Sequence, residues 1–277
     1  MRLLVTGAGG GLARAFLARV PPHHDVRALT HAELDVGDLP AVMDAVAAIE
    51  PEAIVNLAGF TDVDGNERDP ARAFRDNALG PHHVALAARA VGAVLLHVST
   101  DYVFDGAATE PYDESARPAP INVYGRAKLL GEERVRTVLA EHVIVRVAYL
   151  YGTGADHLSR QLARLRAGES AAAIVDRTGS PTHVDHVAER LLPVLLSGRW
   201  GTYHLAGPEP ASWYEALCRL RERGGFAAPV RPQRAEELDR PAARPRYSAL
   251  TSVLLEHLDV APMPSLDEGL DALLRAG

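Results

Sequence analysis

Hydrophobic positions along the chain fall into two alternating rhythms. Short apolar runs predict strands over Leu3–Thr6, Val26–Leu29, Ala53–Leu57, Val94–Val98 and Val143–Val147. Between them, longer segments of helical period predict helices over Leu12–Val20, Leu39–Ile49, Ala71–Ala90 and Val123–Ala140. Ile54–Leu57 and Val94–Val98 are apolar without strict alternation, as in strands covered on both faces. This order predicts an α/β fold, a doubly wound parallel sheet. Past residue 150 the rhythm loosens to a helix at Leu158–Ala167, a strand at Ala172–Val175 and a helix at Val184–Leu196. A Pro- and Arg-rich stretch, Pro229 to Pro245, then precedes a last helix at Leu266–Ala276. The expected organisation is a large domain over residues 1–150, with parts of 184–205 returning to it, and a smaller, partly interleaved lobe over 151–277.

Composition narrows the function classes. Apolar residues make 47% of the 277 positions and charged residues 23%, which describes a globular chain. A net charge of −7 argues against general nucleic-acid binding. No apolar run nears the ~20 residues of a membrane span. The strand predicted from the first residues leaves no room for a signal peptide. A single cysteine, Cys218, excludes an internal disulfide and fits a reducing compartment, so a cytoplasmic location is expected. Of the 29 basic residues, 28 are arginine and one is lysine, Lys128.

The first strand runs into Gly7-Ala8-Gly9-Gly10-Gly11-Leu12-Ala13 and then an amphipathic helix. Gly7 permits the tight turn and Gly10 a close approach to a pyrophosphate. Ala13 lets helix and sheet pack closely. The helix N-terminus adds free N–H groups. Between strand and helix, this spacing predicts a dinucleotide site of Rossmann type. The second strand ends Leu29-Thr30-His31 with no carboxylate until Glu33, which favours NADPH, with NADH the alternative. Asp35 and Val36 lie where an adenine contact is expected, although Asp35 equally suits a helix cap.

Tyr124 and Lys128 stand at i, i+4 and share a helix face. An ammonium beside a phenol lowers its pKa toward working pH and makes it a usable proton donor to a reduced carbonyl. Arginine serves on helix surfaces throughout this chain but replaces a compact ammonium poorly. The Val94–Val98 strand ends in Ser99 and Thr100, at the strand edge where such sheets bind ligands. Thr100 is the candidate hydrogen-bond donor to the carbonyl; Ser99 serves equally well in satisfying the turn.

These residues resemble the extended short-chain dehydrogenase/reductases, and within them the dTDP-4-dehydrorhamnose reductase family. The most specific match is Ser99-Thr100-Asp101-Tyr102-Val103-Phe104-Asp105-Gly106. It is joined by Pro111–Glu114, Asn122–Leu129, Gly131-Glu132, Asn56–Asp64, Gly179–Thr182, Gly201–Leu205 and Arg244-Pro245 with Ser248. The resemblance implies Thr100, Tyr124 and Lys128 as the catalytic triad. It implies Gly7, Gly10, Gly11 and Leu12 on the pyrophosphate, and Thr30, His31, Asp35, Val36, Leu57, Ala58, Gly59, Thr61 and Ser99 along the cofactor. Val63, Thr100, Asp101, Tyr102, Phe104, Tyr149 and Arg244 would face the substrate, a nucleotide-diphosphate sugar, with Arg244 and Arg246 as phosphate partners. Four features depart from the family's pattern: His31 for an arginine, Tyr149 for a tryptophan, Arg177 after Asp176 for a glutamine, and the spelling of Val63–Glu67.

The implied reaction is reduction by NADPH of the C4 ketone of a dTDP-linked 4-keto-6-deoxyhexose. Sugar dehydration is disfavoured because Tyr102, not an acid, follows Thr100-Asp101. Epimerisation on the same fold stays open, as does a non-catalytic regulatory role like that of the methionine adenosyltransferase beta subunit. His183 and His186 at i, i+3 lack companions for a zinc set, so no metal is expected. The final amphipathic helix is a face that could cover the sheet or meet a second subunit in a homodimer.

Overall fold

The computed structural model describes residues 1–276. The first half of the chain runs β1 (Arg2–Thr6), α1 (Gly11–Leu17), β2 (Asp25–Leu29), α2 (Leu39–Ile49), β3 (Ala53–Asn56), α3 (Val63–Arg68), α4 (Pro70–Phe74), α5 (Gly80–Val91), β4 (Val94–Thr100), α6 (Val123–Val138) and β5 (His142–Val147). The second half runs β6 (Leu150–Tyr151), α7 (His157–Arg166), β7 (Ala171–Ile174), β8 (Thr178–Gly179), β9 (Thr182–His183), α8 (Val184–Leu196), β10 (Gly201–His204), β11 (Ala211–Ser212), α9 (Trp213–Arg223), β12 (Val230–Gln233) and α10 (Leu266–Arg275).

Six parallel strands form the main sheet in the order β10-β5-β4-β3-β1-β2. The chain leaves β1 toward β2 and returns on the other side of β1 at β3, so a crevice opens beyond the carboxyl ends of those strands. Successive side chains point to opposite faces, and both faces are covered. Leu3, Val5, Val143 and Val145 pack under α1 and α8 with Phe16, Val187 and Leu191. Leu4, Ile54, Leu95 and Ile144 pack under α2 and α5 with Val42, Val46 and Val84. A separate core of Leu158, Leu162, Leu217, Leu220, Leu266 and Leu270 joins α7, α9 and α10. Residues 184–204 lie with the large sheet, because α8 covers it and β10 pairs with β5.

Three local departures from the hydrophobic pattern matter for the site. The helix expected over Ala71–Ala90 is broken by a π-helical turn at Arg75–Leu79. Asn77 in that turn is buried and binds both backbone groups of Phe60, and Pro81 restarts a regular helix. β4 runs on to Thr100, since Arg146 and Val147 of β5 pair with Ser99 and Thr100. Val230–Gln233, inside the Pro- and Arg-rich stretch, pairs parallel with β7 as a two-stranded ladder. No helix among the described residues is long and apolar enough to cross a membrane.

Candidate active site

The crevice floor is shaped by backbone. Gly7 has φ +69°, and a Cβ there would lie 2.6 Å from the Ala58 nitrogen. Ala8 N–H donates to Leu29 and Gly10 N–H to Gly7 (3.0 and 2.9 Å), closing the turn. A Cβ on Gly9 would meet nothing within 4 Å, and Gly10 at the head of α1 makes no side-chain cap. An open, uncapped cradle of this kind fits a diphosphate. Beside it the loop from Leu57 to Thr61 is held from below. Asn77 Oδ1 accepts from Phe60 N–H and its Nδ2 donates to Phe60 O, both at 2.9 Å.

At the end of β2, Thr30 gives both its amide and its hydroxyl to Glu33 (2.8 and 2.7 Å). A carboxylate therefore does stand at this strand end, folded back from three residues on. His31 is exposed. Asp35 pairs with Arg75 and accepts from Gly37 N–H, so its carboxylate is engaged within the protein. The Val36 side chain is 4% exposed and its carbonyl meets His83.

Thr100 and Tyr124 meet where β4 approaches α6. Asn122 caps α6 by accepting from Gly125 N–H at 2.7 Å. Gly125 is needed there, since a Cβ would sit 2.0 Å from the Tyr102 carbonyl oxygen. Tyr124 lies edge-on to Tyr102, with ring centroids 5.9 Å apart and its hydroxyl on the Thr100 side. Thr100 Oγ1 donates to Asp101 Oδ1 (2.9 Å) and accepts from Tyr102 N–H (3.2 Å). Burial pushes the Tyr124 phenol up to about 12; the neighbouring Thr100 hydroxyl works against this and the negative charge of Asp101 adds to it. The i, i+4 spacing led us to expect the opposite direction. Asp101 is itself raised to about 7, chiefly by burial.

Lys128 follows one turn later and is 5% exposed. Its Nζ donates to the Val98 carbonyl (2.6 Å) and stands 3.4 Å from His97 Nε2. Burial pulls this ammonium down to about 8. His97 continues to Asn56 (3.1 Å), whose Oδ1 accepts from Thr6 (2.7 Å). Burial first, then the Lys128 charge, keeps His97 neutral. Below Lys128, Glu132 is ionised inside the protein because Arg146 grips it with two bonds of 2.9 and 2.7 Å. The Ser99 hydroxyl beside them is buried without a hydrogen-bond partner.

The opposite wall comes from distant parts of the chain. Tyr149, at φ +43°, stacks on Trp213 with centroids 4.8 Å apart. Gly179 makes room for that ring, since a Cβ would meet it at 2.5 Å. Next to Tyr102 stands Arg244, whose guanidinium holds both Asp64 oxygens at 2.7 Å. The fork expected to take a phosphate is thus filled by a carboxylate, and Arg246 lies exposed outside it. Phe104 is a further correction. It is fully buried, stacked on Tyr112 at 4.2 Å and facing Arg146 at 5.1 Å, so it is core and cannot touch a substrate.

Sequence reasoning passed over Asn56, Asn77, His97 and Ser248. His97 carried a signal, a polar residue in an otherwise apolar strand; Ser248 carried none beyond its place in the family pattern.

The family model for the RmlD substrate binding domain matches residues 1–276. A dTDP-4-dehydrorhamnose reductase of Mycobacterium tuberculosis is 41% identical over 261 residues, covering 91% of this chain and 85% of its own. One from Streptomyces griseus is 40% identical over 291 residues, covering 100% and 95%. The crystal structure of the Bacillus anthracis dTDP-4-dehydrorhamnose reductase, in complex with NADP, superimposes with TM-score 0.95 at 32% identity, covering 100% of this chain and 99% of that one. The chain belongs to this family of RmlD-type dTDP-4-dehydrorhamnose reductases.

Proposed function

We propose that this protein reduces the C4 ketone of a nucleotide-linked 4-keto-6-deoxyhexose with NADPH, dTDP being the expected nucleotide. The observation that carries this is the meeting of Thr100, Tyr124 and Lys128 at the strand ends beside the glycine cradle. Gly7, Gly10, Gly11 and Leu12 would hold the diphosphate of the cofactor. Thr30 and His31 would border its adenosine end, and Leu57, Ala58, Gly59, Thr61 and Ser99 the rest of its length. When bound, NADPH supplies hydride to the ketone carbon.

Tyr124 gives its phenolic proton to the ketone oxygen, so one C–H and one O–H bond form as the C=O double bond becomes single. Thr100 donates a hydrogen bond to the same oxygen as charge grows on it. Lys128 holds positive charge below the site, where Val98 and His97 fix its Nζ. Tyr102, Val63 and the Tyr149–Trp213 stack form the sugar-side wall.

The test is NADPH oxidation against a panel of dTDP-4-keto-6-deoxysugars, with product stereochemistry read by NMR. Ketone-dependent loss of NADPH matching the alcohol formed is the expected result. Sugar conversion without net NADPH loss would make the protein an epimerase. No conversion, together with stable co-purification with another enzyme, would make it a regulatory subunit.

A further inference from the structure

A threonine hydroxyl has one proton to give and two lone pairs. Here the proton goes to Asp101 Oδ1 and one lone pair accepts from Tyr102 N–H. Asp101 Oδ2 also accepts from Ser248 at 2.5 Å. With Asp101 ionised, Thr100 gives its one proton to the carboxylate and has nothing to offer a ketone oxygen.

We propose that Asp101 is a positioning residue that acts as a neutral carboxylic acid: protonated, it donates to Thr100 Oγ1 and turns the Thr100 proton toward the ketone. This rests on the ketoreductase reading above. The Asp101 proton is not consumed; it only sets the direction of the bonds. No proton count changes beyond the one that Tyr124 delivers.

The surroundings favour the neutral form. Asp101 is 3% exposed, and among the described residues no cation lies within ion-pair distance of it. Arg244, near Tyr102, is already gripped by Asp64, and Lys128 is turned to Val98 and His97. The titratable groups that feel Asp101 are the phenols Tyr102, Tyr124 and Tyr149, none of which supplies positive charge. An unpaired buried carboxylate in such a place takes up a proton readily. Its raised pKa, about 7, agrees with the geometry. Neutral Asp101 also withdraws the negative charge that holds Tyr124 up.

The experiment is the pH profile of kcat with saturating NADPH and ketosugar for wild type, Asp101→Asn and Ser248→Ala. An asparagine amide still points a donor at Thr100 but cannot ionise. Wild-type kcat is expected to fall roughly tenfold per pH unit above about 7. In Asp101→Asn, whatever its overall rate, that fall vanishes and only a later one from Lys128 remains. Ser248→Ala removes a bond that favours the carboxylate, so its fall moves to higher pH. An alkaline limb that stays at wild-type pH in both variants would overturn the proposal. A second readout needs neither substrate nor turnover. Infrared difference spectra should show a protonated-carboxyl band lost between pH 6 and 9 in wild type and absent from Asp101→Asn. Lack of that band at pH 6 would also overturn it. A band without any ketone reduction would leave Asp101 as assigned here and bring down the ketoreductase reading instead.

Discussion

The two walls of the cleft are made of different material. The cofactor side is backbone: Gly7, Gly9 and Gly10, and a loop whose Phe60 amide and carbonyl are tied to Asn77. All of it lies within the first eighty residues. The side we propose for the substrate is side chain: Tyr102, Tyr149, Trp213 and Arg244, gathered across some 140 residues of sequence. The backbone wall has no room for an added carbon at Gly7, and few of its side chains matter. A side-chain wall can be re-cut one residue at a time while the cofactor site stays unchanged. The departure from the family's pattern at Tyr149 falls on that second wall, the one we propose faces the substrate.

The largest effect should come from a change that leaves both walls standing. Tyr124→Phe removes the proton donor, and kcat should fall by about 10²–10⁴. NADPH affinity, read by fluorescence titration, should stay within about twofold because the phenol is no part of the phosphate cradle. Unchanged turnover would remove Tyr124 from the mechanism.

Gly7→Ala attacks the backbone wall. The new Cβ meets Ala58 backbone at 2.6 Å in a residue at φ +69°, so nothing flexible can yield. Destabilisation of about 1–3 kcal/mol is expected, with NADPH affinity down at least tenfold by calorimetry. Gly179→Ala is the matching change on the other wall. Its Cβ would push the Tyr149 ring off Trp213, so KM for the nucleotide sugar should rise about three- to tenfold while NADPH affinity holds. If both variants lost both affinities equally, the two walls would not be independent.

How much of this was legible in the sequence follows the same division. The phosphate loop and the Tyr124–Lys128 pair are local patterns, so spacing alone placed them. The α2 bounds matched the periodic pattern because Asp38 caps it and Pro40 sits in its first turn. Side-chain walls are set by tertiary contacts, which no local period records. Phe104 sits within a segment whose neighbours line the cleft, yet it points into the core beside Arg146. The π-helical turn was invisible for the same reason: a continuous helical period through Ala71–Ala90 cannot say that Asn77 must reach Phe60. Arg244 read as a phosphate ligand because guanidinium suits phosphate, but Asp64, 180 residues away, suits it as well.

Glu33 gives the smallest and sharpest test, because it is a charged side chain on the backbone wall. It accepts from the Thr30 amide and hydroxyl, and these bonds hold its carboxyl below the ordinary range, so it is negative at any working pH. A negative charge at the end of β2 repels the 2′-phosphate of NADPH and accepts from the 2′-hydroxyl of NADH. Glu33→Gln removes the charge while its amide oxygen can still accept from Thr30, so the fold should be untouched. The ratio of kcat/KM for NADPH over NADH should rise about two- to fivefold at low salt and less at high salt, since the site is exposed and screened. A ratio unchanged at low ionic strength would mean that the carboxylate caps Thr30 and does nothing else, leaving His31 to set cofactor preference alone.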